Sequence, residues 1–63
     1  MSLKEFRLNA NLTQEELAKR VGLKKNTICA YEKGKRNPTI KNLSKVANAL
    51  GVSVEKLLKC FEK

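Results

Sequence analysis

A chain of 63 residues has room for one small hydrophobic core and no second domain. Its formal charge is +8, from fourteen Lys and Arg against six Asp and Glu, which narrows the expected partners to nucleic acid, an anionic membrane surface or an acidic protein. There is no histidine, and the two cysteines, Cys29 and Cys60, stand far apart, so neither a zinc ligand set nor a CxxC redox pair is expected.

No apolar run approaches a membrane span, and no signal-peptide pattern precedes the first charges, so the expected location is the cytoplasm with both thiols reduced. The positive charge is concentrated: between Lys19 and Lys45 there are nine basic residues and one acid, Glu32.

Apolar residues recur with helical spacing throughout, and nothing alternates with a strand's period of two. The first segment, SLKEFRLNA, begins at Ser2 as a cap and carries Leu3 and Phe6 on one side, and Asn11 follows as a residue suited to a left-handed helix end. Thr13-Gln14-Glu15-Glu16 is a capping box that opens the second helix. Leu17 and Val21 form its inner face and Gly22 stops it. Helical spacing resumes almost at once with Ile28 and Tyr31, three apart and pointing the same way. Gly34 ends this third helix, and Lys35-Arg36-Asn37-Pro38 is a loop. Thr39 caps a fourth helix with Ile40, Leu43, Val46 or Ala47, and Leu50 inward, and Gly51 ends it. Ser53 caps a fifth, which carries Val54, Leu57, Leu58 and Phe61. The expected fold is all-α, one compact bundle of five short helices over residues 1–63.

Two helices joined by about three residues must cross steeply, which brings their backbones together near the turn. Ala18 supplies the small residue and Gly22 the one free of Cβ strain, with Leu23, Ile28 and Tyr31 filling the angle. At this point the stretch from LTQEELAKRVG to GKRNP and ALGVS resembles the lambda-repressor-like helix-turn-helix family, also called the XRE or Cro/repressor type. The resemblance runs from about Leu3 to Leu58. It rests on LTQEELA, Gly22, Thr27-Ile28, Tyr31-Glu32, GKRNP and ALGVS, in order and at family spacing.

The resemblance implies a sequence-specific double-stranded DNA-binding regulator, a repressor, with helix two and helix three as the helix-turn-helix and helix three in the major groove. The outward positions expected to read bases are Lys25, Asn26, Cys29, Ala30 and Lys33. Lys suits guanine O6 and N7, Asn suits adenine N6 and N7, and the small residues suit a thymine methyl. Thr13, Gln14, Thr27, Lys35, Arg36 and Asn37 are expected against phosphates, which need charge and backbone more than register. The family pairs an Arg of helix one with the Glu after the helix-three aromatic, which here implies a structural Arg7–Glu32 bridge. One departure is Lys24, which stands where the family commonly has a capping Ser or Thr. Either water satisfies that helix start or the helix begins a residue differently.

An enzyme is not expected: there is no histidine, no nucleophile with a base and no Gly-rich phosphate loop. No cofactor, metal, membrane or small-molecule ligand is expected either. The rival reading is a protein-binding module, such as an antitoxin or a partner subunit docking through the last helix. The same helix can join two copies, and a homodimer is expected, with Leu58, Phe61 and Cys60 near its interface.

Overall fold

Four of the helices begin on a hydroxyl. In the computed structural model, which describes residues 2–62, the helices are α1 (Leu3–Asn9), α2 (Gln14–Val21), α3 (Lys25–Glu32), α4 (Ile40–Leu50) and α5 (Val54–Leu58), and a 3-10 turn, Lys59–Phe61, follows α5. Ser2, Thr13, Thr39 and Ser53 each accept from the backbone N–H three residues on, at 3.0–3.3 Å. Ser2 and Thr13 are reciprocated, because Glu5 and Glu16 accept from the cap residues' own N–H groups. The Glu5 half of the first box is a signal that sequence reading missed. Helix α3 is the exception. Its cap is Lys24, extended at φ −88° and ψ 149°, and no side chain satisfies its first N–H groups.

The helix ends share a device too. Asn11, Gly22, Gly34 and Gly51 have φ between 59° and 75°, and in each case the next residue's N–H returns to a carbonyl five residues back. These closures are Leu12 to Arg7, Leu23 to Ala18, Lys35 to Ala30 and Val52 to Ala47, at 2.9–3.2 Å. Such a closure satisfies carbonyls that the helix leaves without partners, and it turns the following residue back onto the core. Leu12 is buried by this turn, although periodicity alone did not mark it. A Cβ built at Gly22 would meet nothing within 4 Å, so glycine is required there for its left-handed conformation and not for space. The close approach of α2 and α3 falls to Ala18, which is buried.

Leu17, Ile28, Leu43, Val46 and Leu57 are completely enclosed, and Leu3, Phe6, Leu12, Ala18, Val21, Tyr31, Ala47 and Leu50 complete one core. Helix α2 packs on both α3 and α4, α4 packs on α5, and α1 closes over α3. Two expectations need correction. Ile40, read as inward, is 74 % exposed. It shares the stripe of Leu43, Val46, Ala47 and Leu50, but a helical side chain leans toward the N-terminus, and in the first turn of α4 that carries it past the edge of the core. Phe61, read as part of the fifth helix, lies in the 3-10 turn. It packs edge-on against Tyr31 with ring centroids 6.3 Å apart, and Cys60 beside it also packs on the core. Tyr31 is buried, and its hydroxyl accepts from Asn42 Nδ2 at 3.3 Å.

Among the described residues, Arg7 is the one charged residue buried as a whole. Its Nε donates to Glu32 Oε2 at 2.6 Å, its Nη2 to Glu32 Oε1 at 3.3 Å, and its Nη1 to the Leu12 carbonyl at 2.8 Å. The bridge fastens α1 to the last residue of α3, and both side chains are less than a tenth exposed. Breaking such a pair leaves an uncompensated charge.

Glu32→Ala is therefore expected to destabilise the fold by about 3–5 kcal/mol, and the neighbouring surface change Lys33→Ala by less than about 0.5 kcal/mol. Urea denaturation distinguishes them. By the same measurement Leu43→Ala costs about 2–5 kcal/mol, whereas Ile40→Ser stays within about 0.5 kcal/mol. Lys24→Ser supplies the missing cap and is expected to raise stability by roughly 1 kcal/mol.

Candidate nucleic-acid interface

The surface of α3 is decided by what its inner face needs. Ile28 and Tyr31 are drawn into the core, which turns Lys25, Asn26, Cys29, Ala30 and Lys33 away from it. Lys25, Asn26 and Lys33 are exposed, and Cys29 and Ala30 are half-buried. The structure divides this set. Asn26, Cys29, Ala30 and Lys33 line one shallow hollow together with Lys35 from the following loop. Lys25 lines a different hollow, with Arg7, Leu8, Leu12 and the start of α2 at Thr13, Gln14 and Glu15. Lys25 thus shares a hollow with the first turn of α2, and Lys35 with the middle of α3.

The residues read as phosphate contacts are also divided. Thr13 is exposed, but its hydroxyl accepts from Glu16 N–H at 3.0 Å. Gln14 is half-buried, and its Nε2 donates to Glu32 Oε1 at 3.0 Å. Thr27 is half-buried in the first turn of α3. Lys35 and Arg36 are exposed in the loop, which folds back so that both backbone N–H groups reach the Ala30 carbonyl, at 3.0 and 3.4 Å. Asn37 is exposed as well, but it borders a separate hollow between the end of α3, the start of α1 and the C-terminal turn at Cys60 and Phe61. The bond from Gln14 to Glu32 was not legible in the sequence. Gln14 and Glu32 are eighteen residues apart, and only the crossing of α2 and α3 brings them together.

Charge on this side is largely unopposed. Among the described residues the ion pairs are Arg7–Glu32 and Lys19–Glu15, the second a 4.0 Å pair on the exposed side of α2. Lys24, Lys25, Lys33, Lys35, Arg36 and Lys41 are all exposed, and none is paired with a carboxylate. Unpaired cations set on a rigid surface and exposed backbone N–H groups at an uncapped helix start both favour an anion. The carboxylate of Glu16 lies below its ordinary range because it accepts from the Thr13 backbone N–H and hydroxyl. Burial pushes the Cys60 thiol above its ordinary value, which lowers its thiolate fraction and its reactivity. Cys29 and Cys60 are not joined in a disulfide. No group of three or more metal-ligating side chains gathers among the described residues, and none of their helices is long and apolar enough to cross a membrane.

The helix-turn-helix family profile HTH_3 matches residues 3–57. An HTH-type transcriptional regulator of Archaeoglobus fulgidus is 51 % identical over 53 residues, covering 84 % of this chain and 75 % of that protein. The CTXphi transcriptional repressor RstR of Vibrio cholerae is 38 % identical over 56 residues, covering 89 % of this chain and 50 % of that one. Among solved structures, the clp gene regulator ClgR of Corynebacterium glutamicum superposes with a TM-score of 0.85 at 29 % identity, covering 94 % of this chain and 63 % of that one. SinR, solved in complex with SinI, superposes with a TM-score of 0.83 at 35 % identity, covering 89 % of this chain and 55 % of that one. The chain thus spans less than two thirds of these two structures. The packing of α2 on α3, the left-handed Gly22 between them and the match over nearly the whole length agree: the chain belongs to the helix-turn-helix family of the lambda-repressor-like (XRE) type, whose members are transcriptional regulators and not enzymes.

Proposed function

We propose that this chain binds double-stranded DNA sequence-specifically, with α3 in the major groove, and acts as a transcriptional repressor in the cytoplasm. The observation that carries the reading is the exposed side of α3, where Asn26, Cys29, Ala30 and Lys33 share one hollow with Lys35, framed by cations that no carboxylate neutralises. In this reading Asn26 pairs with adenine, Cys29 and Ala30 meet a thymine methyl, and Lys33 reaches guanine. The sequence resemblance alone places Lys25 among the base-reading residues. Its place beside the first turn of α2 favours a phosphate, together with Thr13, Gln14 and the N–H groups there. Thr27, Lys35, Arg36 and Asn37 supply the remaining backbone contacts. The repressor assignment follows the likeness to RstR, named a transcriptional repressor.

One reading head of this size offers little contact area for specificity, so the chain acts as a homodimer on half-sites related by a two-fold axis. Its docking strip is Val54 and Leu58, four apart on α5 and 37 % and 39 % exposed. Cys60 and Phe61, expected near that interface, are partly buried against the chain's own core. The same strip suits a protein partner, in keeping with SinR having been solved in complex with SinI. That second reading predicts capture of a folded partner in place of a DNA site.

Selection from random duplex DNA tests the proposal. The expected result is a two-fold-symmetric site bound with a steep salt dependence, a slope of about −0.9 per phosphate neutralised. No enriched sequence would overturn it. Asn26→Ala is expected to relax preference at one base pair by about 1–3 kcal/mol, while Arg36→Ala weakens all duplexes alike and flattens the salt slope. Salt should act on the free protein with the opposite sign. Screening relieves repulsion among the surplus positive charges, so its melting temperature rises over the range in which affinity falls.

A further inference from the structure

The amide of Gln14 is held on one side before any ligand arrives. Its Nε2 donates to Glu32 Oε1 at 3.0 Å, and the same carboxylate accepts from Arg7 Nε and Nη2 at 2.6 and 3.3 Å. Arg7 is fixed in turn through its Nη1 to the Leu12 carbonyl at 2.8 Å, so the anchor of the amide is rigid. A side-chain amide nitrogen carries two hydrogens in one plane, and fixing one on Glu32 fixes the direction of the other. A bare carboxylate at this place would repel a phosphate brought up to the start of α2, but the guanidinium pressed against it offsets that charge.

We propose that Glu32 is a positioning residue for DNA binding. It holds the Gln14 amide so that its second N–H meets one backbone phosphate, with Arg7 as the partner that neutralises it. The inference rests on the DNA-binding reading above and adds to it a link between the α1–α3 bridge and one contact on the nucleic acid. A glutamine without this tether must be ordered at the moment of binding, a cost of roughly 2- to 10-fold in affinity for one long side chain.

The test uses the full chain and a duplex carrying its selected site, with single phosphates replaced in turn by neutral methylphosphonates. For the unaltered chain one position per half-site should weaken binding roughly 2- to 10-fold when neutralised, and Gln14→Ala should abolish the effect at that position alone. The paired variant Arg7→Met/Glu32→Leu removes the tether without changing net charge, and replacing both members of a buried ion pair by apolar residues commonly preserves folding. It should lose sensitivity at the same phosphate and keep it elsewhere. If that variant does not fold, Glu32→Asp retains the counter-charge to Arg7 but draws the carboxylate back from Gln14, with the same selective loss expected. Full sensitivity in these variants, still removable by Gln14→Ala, overturns the positioning role while leaving the DNA-binding reading intact. If Gln14→Ala has no effect in the unaltered chain, the phosphate role of Gln14 and this inference fall together. If no duplex is selected at all, the proposed function falls as well.

Discussion

The carboxylate of Glu32 is where three helices of this small protein are tied together. It receives Arg7 from α1 and Gln14 from α2, and it stands on the last residue of α3. A 63-residue chain encloses only a thin core, and α1 is only seven residues long, too short to hold itself helical in water. Leu3 and Phe6 anchor α1 by burial, and the bridge fixes how it lies across α3. The remaining guanidinium hydrogen bond, to the Leu12 carbonyl, fastens the α1–α2 turn to the same node. Orientation of the first three helices thus depends on one network in which each buried polar group has a partner.

Around that node the molecule tolerates an unusual imbalance of charge. Its Cα extents are 26 × 22 × 20 Å, so at moderate ionic strength most of the cations lie within about two Debye lengths of one another. Mutual repulsion opposes folding, and the core offsets it. Neutral hydroxyls alone cap α4 and α5, and left-handed closures satisfy several helix ends, whereas the boxes at Ser2 and Thr13 also use the carboxylates of Glu5 and Glu16. The start of α3, where Lys24 provides no cap, is the least satisfied end. It lies on the side where the cations are unpaired, so its N–H groups and those cations both favour an anion there.

Much of the fold was legible because it is built from local rules. Helix starts at Thr13, Thr39 and Ser53 follow from hydroxyls placed before apolar periodicity, and stops at Gly22 and Gly51 follow from the residue best able to adopt positive φ. Ile28 and Tyr31 were legible as an inward pair because three residues make nearly one turn. The errors have one source. Ile40 obeys the periodicity of α4, but periodicity does not say where the core ends. Leu12 obeys no helical period and is buried by the turn that carries it. Phe61 belongs to a 3-10 turn whose direction depends on Tyr31 being available to pack against.

The candidate interface divides in the same way. Composition and spacing determined that the outer side of α3 would be basic and small-residued, because its inner positions were claimed by Ile28 and Tyr31. They also determined that the chain is all-α with a very short turn between its second and third helices, which the family resemblance marks as a helix-turn-helix, since those properties are set by residues within a few positions of one another. Only the tertiary structure decided which outward residues share a hollow. It parts Lys25 from Asn26 and adds Lys35 to the Asn26 group, because the α2–α3 crossing angle and the return of the loop onto Ala30 set those distances. It also decided that the Gln14 amide meets Glu32, since a hydrogen bond between residues far apart in the chain exists only once packing has fixed both ends.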